Sequence, residues 1–179
     1  MGVAVGKVGE VIGTVTIILV LNKLAGADLG SVFIKRGNLK WALVVGLAVL
    51  LNFGTAALMA SAGKYTQLDL LGTTMLWGLV FSLANGFMEE LWFRGMFLGK
   101  LQPLIGTGAA IVLTSLLWSI MHAGALYMSP SAIPVFMLNL FTHGLAMGYL
   151  VFKMNNLWGA SLYHVACDFW LFVMTAGTF

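Results

Sequence analysis

Two adjacent glutamates, Glu89 and Glu90, stand with Arg94 in a long apolar stretch of a chain that contains six acidic residues in all. Burying an ionised carboxylate among apolar groups is costly unless the charge is paired, so such a cluster indicates an ion pair or a functional site. Glu90 and Arg94 are four residues apart, which puts them on one helix face where they can pair. Glu89 points about a third of a turn away and is free to face a cavity, as a catalytic base would.

Two further pairs repeat the four-residue spacing, Trp118 with His122 and His164 with Asp168. Side chains at positions i and i+4 of a helix meet on one face. Where three such helices pack together, Glu89, both histidines and Asp168 can converge on one spot. This set supplies a general base, a group that orients it and groups that stabilise an oxyanion, as a hydrolase needs. The same acids and histidines are also a plausible ligand set for zinc, with open positions for water.

The composition identifies the solvent of these helices. Hydrophobic residues make up 60% of the chain, charged residues 8%, and the mean hydropathy is +0.98, which is too apolar for a soluble globule. Most of the apolar segments are long enough to cross a hydrocarbon core of about 30 Å. The sequence therefore predicts an all-α, polytopic membrane helix bundle of about six transmembrane helices, with the site in an intramembrane cavity. The predicted segments are residues 8–25, 40–62, 70–99, 104–123, 132–152 and 157–178.

The cations are read as topology signals. A net charge of +3 would suggest a nucleic-acid partner in a soluble domain, but here the lysines and arginines cluster in the loops between apolar segments. We therefore expect the lipid bilayer, and no nucleic acid, as a partner. Cytoplasmic loops of membrane proteins carry an excess of Lys and Arg. The loops that contain Arg36, Lys100 and Lys153 are accordingly predicted to be cytoplasmic, with both chain termini outside.

Three polar positions and one helix break refine this outline. Counted from the start of its segment, His122 comes out about 27 Å along the helix axis, so the fourth segment must tilt or begin well inside the interface. His143 reaches a comparable level, and either an interhelical hydrogen bond or a place in the site accounts for it. Cys167 is the one cysteine, and we expect a small core residue. Gln102-Pro103 predicts the break between the third and fourth segments.

The spacing of these residues resembles that of a known family. Residues 89–94 match EExxxR, residues 118–122 resemble FxxxH, and residues 164–168 match Hxxx(N/D). These are the three motifs of the type II CAAX prenyl endopeptidases and bacteriocin-processing proteins, the intramembrane glutamic endopeptidases also called the CPBP or Abi family. The resemblance covers roughly residues 70–175. With the segments above, it implies two N-terminal transmembrane helices in residues 1–69 and a catalytic core of four transmembrane helices in residues 70–179.

The resemblance implies hydrolysis of a peptide bond within the membrane, without a metal or another cofactor. By position, Glu89 with His122 would activate the water, and His164 with Asp168 would stabilise the oxyanion. The substrate would be a peptide or a membrane protein. The chain would be a multi-pass protein of a prokaryotic cell membrane, since short members resemble prokaryotic proteins more. The sequence indicates neither the substrate's identity nor the oligomeric state.

Supporting roles fall to Glu90 and Arg94, which hold the helix and its charges, and to Trp118 in the pocket wall. Trp118 replaces the Phe of the motif, and its larger ring is expected to reshape the pocket. Asp168 replaces the commoner Asn, and an ionised Asp would repel an oxyanion. Asp168 is therefore protonated, or it orients His164 as a hydrogen-bond acceptor, or activity is impaired. We expect the second of these.

Two other functions stay open. One is a metal-dependent membrane hydrolase or a metal transporter, built on the same acids and histidines. The other is a non-catalytic peptide-binding or immunity-type membrane protein that keeps the fold. Metal content and the effect of chelators separate a metal-dependent protein from a metal-free peptidase. The substitution Glu89→Ala separates chemistry from scaffolding.

Overall fold

The computed structural model describes residues 2–60, 73–124 and 129–175, and these residues form helices and connecting turns without any strand. Two short 3-10 turns, Leu29–Val32 and His122–Gly124, lie in the connections. The expectation of an all-helical bundle is confirmed. The helices are α1 (Gly2–Leu24), α2 (Leu39–Ala60), α3 (Thr73–Glu90), a π-helical segment (Leu91–Leu98), α4 (Gly99–Ile105), α5 (Thr107–Met121), α6 (Ile133–Met154) and α7 (Trp158–Thr175).

Four helical stretches of the described chain are long and apolar enough to cross a membrane. They are α1, the Leu39–Ala56 part of α2, α5 with its following turn, and α6. This finding supports a membrane protein, as the composition predicted. The acids and histidines of the three motifs lie mainly on the other two long helices, α3 and α7, each 18 residues long. The predicted number of crossings stays a prediction.

The two helices that carry the ionisable groups pack against each other. Helix α1 covers α3, whereas α2 and α6 pack on α7, and α5 packs on α6 and on the π-helical segment. Glu90 and Arg94 are fully buried and His164 is 3% exposed. Charged side chains in a membrane protein face the interior of the bundle because exposure to lipid is costly. The helix arrangement therefore turns the motif residues inward.

Two glycines allow the helices around these residues to approach closely. A Cβ atom on Gly86 of α3 would lie 2.9 Å from the backbone nitrogen of Val165 on α7. A Cβ atom on Gly144 of α6 would lie 2.8 Å from Cβ of Ser115 on α5 and 3.1 Å from Nη2 of Arg94. Small residues at helix interfaces let backbones come together in membranes. Gly86 thus brings α3 against α7 one turn before the two glutamates.

The predicted break at Gln102-Pro103 is wrong. The helical path continues from α3 through the π-helical segment and α4, and Pro103 lies inside α4. The chain leaves the helix at Gly106, whose φ of 81° is a left-handed conformation that favours glycine. Pro103 has no N–H to donate to the carbonyl of Gly99, yet the helix continues past it to Ile105. The glycine, rather than the proline, ends the helix.

The bounds of α5 change the axial distance that is counted to His122. The helix begins at Thr107 instead of Leu104, and His122 is its C-cap, in the 3-10 turn that follows Met121. From Thr107 to His122 the axial rise is about 22 Å at 1.5 Å per residue. Whether the helix tilts in the membrane or begins well inside the interface stays a prediction.

Two loops and the start of α4 meet at one end of the bundle. The backbone N–H of Asn38 donates to the carbonyl of Met154, and the N–H of Leu157 donates to the carbonyl of Phe33, each at 2.9 Å. At the start of α4, a Cβ atom at Gly99 would lie 2.7 Å from the carbonyl oxygen of Ser31. The segments that carry the predicted cytoplasmic cations therefore share one side. The predicted loop at residues 61–66 lies outside the described residues.

Candidate active site

Helices α3 and α7 and the end of α5 bring the four candidate catalytic side chains together. Oε2 of Glu89 lies 3.9 Å from Nε2 of His122 and 3.9 Å from Nε2 of His164. The same nitrogen of His164 lies 3.5 Å from Oδ1 of Asp168. One carboxylate oxygen thus stands equally far from two imidazoles on different helices. The convergence inferred from the motif spacing is present in the structure.

A buried ion pair lies behind His164. Nη1 of Arg94 is 2.7 Å from Oε1 of Glu90, and both side chains are fully buried. Nη2 of Arg94 also donates to the carbonyl oxygen of Gly144 on α6 at 3.3 Å. Nδ1 of His164 lies 3.0 Å from Oε1 of Glu90. Because a carboxylate paired with Arg94 accepts but does not donate, the proton of this bond belongs to Nδ1 of His164.

The ring of His164 has a carboxylate beside each nitrogen, so the expected role of Asp168 in orienting it stays a prediction. The hydrogen bond to Glu90 holds Nδ1, and Asp168 stands at the other ring nitrogen, at an ion-pair distance. Oδ2 of Asp168 accepts a hydrogen bond of 2.8 Å from Nδ2 of Asn85 on α3. Asn85 was missed by the sequence reasoning, although it stands four residues before Glu89 and so on the same helix face. That spacing is the signal that could have identified it.

Trp118 and His122 share a second local arrangement. The carbonyl oxygen of Trp118 accepts a hydrogen bond of 2.8 Å from Nδ1 of His122. The proton of a neutral His122 is therefore on Nδ1, which leaves the lone pair of Nε2 facing Glu89. The indole N–H of Trp118 donates to Oε2 of Glu89 at 2.6 Å. Trp118 is thus a hydrogen-bond partner of the site, beyond the wall position that its aromatic character predicted.

A cavity of about 270 Å³ opens beside these groups. Glu89 stands between the two histidines with 14% of its side chain exposed, so the residue is partly accessible. Helix α2 contributes Phe53, which places part of the N-terminal region at the wall. Apolar side chains dominate the lining, and a few polar groups interrupt it. The lining residues are Phe53, Trp118, His122, Phe136, Asn139, Leu140, His143, Met147, His164, Cys167, Asp168 and Leu171.

Two further residues that the sequence analysis considered, His143 and Cys167, also line this cavity. Nδ1 of His143 forms a 2.7 Å hydrogen bond with the hydroxyl of Tyr163, which links α6 to α7. The interhelical hydrogen bond considered for His143 is therefore confirmed, and its ring also contacts Phe53. Cys167, expected as a core residue, is half-buried and lines the cavity instead. On α7 it stands three residues after His164 and four before Leu171, so it shares the helix face that lines the cavity.

The donor geometry bears on the zinc alternative. Within residues 2–60, 73–124 and 129–175, no group of three or more His, Cys, Asp or Glu side chains converges in a way that could hold a metal ion. Two of the relevant atoms already have other partners, since Glu89 accepts from Trp118 and Glu90 pairs with Arg94. A metal at this place would require the side chains to rearrange.

One comparison with known proteins identifies relatives. The family model described as "Type II CAAX prenyl endopeptidase Rce1-like" matches residues 71–170 of the chain, more than half of its length. The match runs from the start of α3 into α7 and includes every motif residue discussed above. No curated protein sequence and no solved structure matches the chain.

Proposed function

The chain belongs to the type II CAAX prenyl endopeptidase Rce1-like family, and we propose that it hydrolyses a peptide bond with a water activated by Glu89 and His122. The family supports a CAAX-type intramembrane protease activity. The observation that carries the finer proposal is the position of one Glu89 oxygen, 3.9 Å from Nε2 of both His122 and His164. That gap is too long for a direct hydrogen bond and suits a water held between acid and imidazole.

In this proposal the water loses a proton to Glu89 while its oxygen attacks the carbonyl carbon of the substrate. Nε2 of His122 accepts the second hydrogen bond of the water and so orients its attack. The C–N bond of the tetrahedral intermediate then breaks. The proton taken by Glu89 passes to the leaving amine, which returns Glu89 to its ionised form.

His164 supplies the oxyanion site. Its Nδ1–H is committed to Glu90, and His164 lines the cavity. In the doubly protonated form its Nε2–H would be the donor that stabilises a developing negative charge. Asp168 and Glu90 flank the ring and balance the positive charge of that form. The hydrogen bond from Asn85 draws one oxygen of Asp168 toward α3. This contact supports a role for Asp168 beside His164 despite its negative charge.

The substrate class follows from the surroundings of the site. A mainly apolar cavity within a bundle of apolar helices suits a membrane-embedded peptide or a segment of a membrane protein. We further propose a multi-pass protein of a prokaryotic cell membrane, in which residues 70–179 form the catalytic core. Residues 1–69 would contribute packing and, through Phe53, part of the cavity wall.

A peptide library tests the proposal with purified protein. Wild type should cleave a subset of peptides, and Glu89→Gln should lose activity by at least about a thousandfold, because an amide cannot accept the proton of the water. Glu10→Gln is the matched control, since Glu10 is an exposed acid that pairs with Lys7 on α1. Circular dichroism should show the same helix content for all three proteins.

Three results would contradict the proposal. Equal cleavage by wild type and Glu89→Gln would remove Glu89 as the base. Activity that chelators abolish and zinc restores would establish the metal-dependent alternative. Binding of peptides with no cleavage by wild type would indicate a non-catalytic peptide-binding protein.

A further inference from the structure

The side chain of Trp118 contacts four ionisable groups of the site. It is 2% exposed. Its indole N–H donates to Oε2 of Glu89 at 2.6 Å. The rings of His122 and His164 lie edge-on to it with centroids 5.2 Å away, and the guanidinium carbon of Arg94 lies 4.8 Å from its ring centroid. One side chain therefore joins the buried ion pair to the acid and both imidazoles.

We propose that Trp118 is a positioning residue that fixes the Glu89 carboxylate between the two imidazoles, and that Arg94 holds Trp118 in place for this task. The inference rests on the proposed function, because it assigns Trp118 a part in setting the geometry of the base. It goes further than wall packing, since it depends on one N–H group of the indole.

The hydrogen bond determines which oxygen faces the histidines. The terminal torsion of a glutamate is broad, so an unrestrained carboxylate samples many orientations. An indole N–H is a donor only, and it occupies one lone pair of Oε2. The second lone pair then remains for a water, and Oε2 stays 3.9 Å from Nε2 of each imidazole. A water bound there meets an acid whose orientation is already set, which lowers the entropy cost of reaction.

Arg94 supports the indole from the other side. Its guanidinium is held by Glu90 at 2.7 Å and by the carbonyl oxygen of Gly144 at 3.3 Å. A cation near the π-system of a desolvated tryptophan is attractive and restrains the ring. The positive charge also draws electron density from the indole, which strengthens its N–H as a donor. The ion pair thus acts on Glu89 through Trp118.

The backbone of Trp118 has a separate role that a side-chain substitution leaves intact. Its carbonyl oxygen accepts the hydrogen bond from Nδ1 of His122. The substitution Trp118→Phe keeps that carbonyl and an aromatic ring, but it removes the N–H group. A closer isostere is 3-benzothienylalanine at position 118, which keeps the two fused rings and carries sulfur in place of N–H. These two variants isolate the hydrogen bond from the packing.

Trp158→Phe is the matched control. The indole N–H of Trp158 also donates a hydrogen bond, at 3.0 Å, but its acceptor is the backbone carbonyl of Lys35 at the loop end of the bundle. This control removes the same donor group away from the site.

The kinetic test compares kcat and KM on a peptide that wild type cleaves. Both Trp118 variants should lower kcat by about 10- to 100-fold, on the scale of misplacing a reacting group. Their KM should stay within about twofold of the wild-type value, because the indole N–H binds the base and not the substrate. Trp158→Phe should leave kcat unchanged. A benzothienylalanine variant with wild-type kcat would overturn the proposal, whatever Trp118→Phe does to folding.

A thermal double-mutant cycle tests the contact without using activity. It combines Trp118→Phe with Glu89→Met, which keeps the length of the side chain and removes both acceptor oxygens. Trp118→Phe should lower Tm by about 2 to 4 °C more in the wild-type background than in the Glu89→Met background. Additive shifts would overturn the hydrogen bond as a positioning contact. Non-additive shifts in a protein that cleaves no peptide would support the contact while the proposed function fails.

Discussion

At Asp168 a carboxylate stands where the proposed reaction develops negative charge. Nδ2 of Asn85 donates a hydrogen bond of 2.8 Å to Oδ2 of Asp168 across the α3–α7 interface. This contact fixes the direction of one oxygen of Asp168. Asp168 is then oriented by α3 and balanced by His164, from which it lies 3.5 Å away. The pair Asn85–Asp168 can therefore be tested as one unit.

We expect Asp168→Asn to keep most of the wild-type activity, because an amide oxygen can accept the same hydrogen bond from Asn85. Asp168→Ala should lose about one to three orders of magnitude in kcat, on the scale of removing one oxyanion-site group. Asn85→Asp should be impaired as well, since two carboxylates would face each other. The double variant Asn85→Asp/Asp168→Asn should recover activity, as the exchange restores one donor and one acceptor.

Steady-state kinetics on one peptide, with circular dichroism as the folding control, check this series. Wild-type kcat for Asp168→Ala would show that the third motif serves only helix packing. A double variant no better than Asn85→Asp would show that the two residues do not act as a pair.

The residue scale also shows what the sequence could predict. The four-residue spacing selected both histidines and Asp168 as candidates, and it predicted the Glu90–Arg94 pair that the structure confirms. That rule describes contacts within one helix, so it predicted that Asp168 orients the ring of His164. In the structure Nδ1 of His164 also bonds to Glu90, 74 residues away along the chain, while Asp168 lies 3.5 Å from Nε2. Contacts between helices depend on rotation and depth, which spacing does not contain.

At the scale of elements, the site depends on where helices end and on how closely they approach. The π-helical segment begins directly after Glu90 and contains Arg94. Such segments are rare and often occur at functional sites. Helix α5 ends one residue before His122. Sequence analysis predicted helices in these regions but not the π-helical segment, and it placed the break at Pro103 instead of Gly106. Apolar periodicity in a sequence predicts which face of a helix is buried. The pattern of backbone hydrogen bonds along the helix is determined by packing in the folded protein.

The prediction at the scale of elements concerns a substitution at Gly86. A methyl group there would come within 2.9 Å of the backbone nitrogen and of Cγ2 of Val165. Backbone cannot yield as a flexible side chain can, so Gly86→Ala should push α7 away and displace His164 from Glu90. We expect a loss of roughly 1 to 3 kcal/mol in the free energy of unfolding. Activity should fall by about 100-fold, since a shift near 1 Å has that effect.

Gly13→Ala is the control, because a Cβ atom at Gly13 of α1 meets nothing within 4 Å. There alanine should leave activity unchanged and stabilise the helix by about 0.5 to 1 kcal/mol. Thermal melting and peptide cleavage measure both variants. Normal stability and activity in Gly86→Ala would mean that close contact of α3 with α7 does not position the site.

At the scale of the whole molecule, an N-terminal helix that lies outside the family match contributes to the wall of the cavity. The match begins at residue 71, yet α2 contributes Phe53 to the cavity wall and contacts His143 through it. No motif marked residues 1–69, because packing against a cavity needs only a ring of suitable size at a suitable depth. The sequence predicted these helices and could not predict that contribution.

The orientation of the whole bundle in the membrane is the last prediction. The structure places the loop near Arg36 beside the turn between α6 and α7, since Trp158 donates to the carbonyl of Lys35 at 3.0 Å. By the positive-inside rule this end, which also carries Lys100 and Lys153, faces the cytoplasm. Ser129 precedes α6 at the opposite end and should face outward. In a Cys167→Ala background, Leu39→Cys should resist an impermeant thiol reagent in intact cells and react after permeabilisation.

Ser129→Cys provides the control in the same background, and it should react with the reagent in intact cells. Because helices α1 to α7 are joined as one bundle, reversing one end must reverse the other. Ready labelling of Leu39→Cys together with protection of Ser129→Cys would invert the assignment, and the proposed site would then lie at a different depth relative to the cytoplasm. Labelling of both positions in intact cells would contradict a bundle that has these two positions on opposite sides of the membrane.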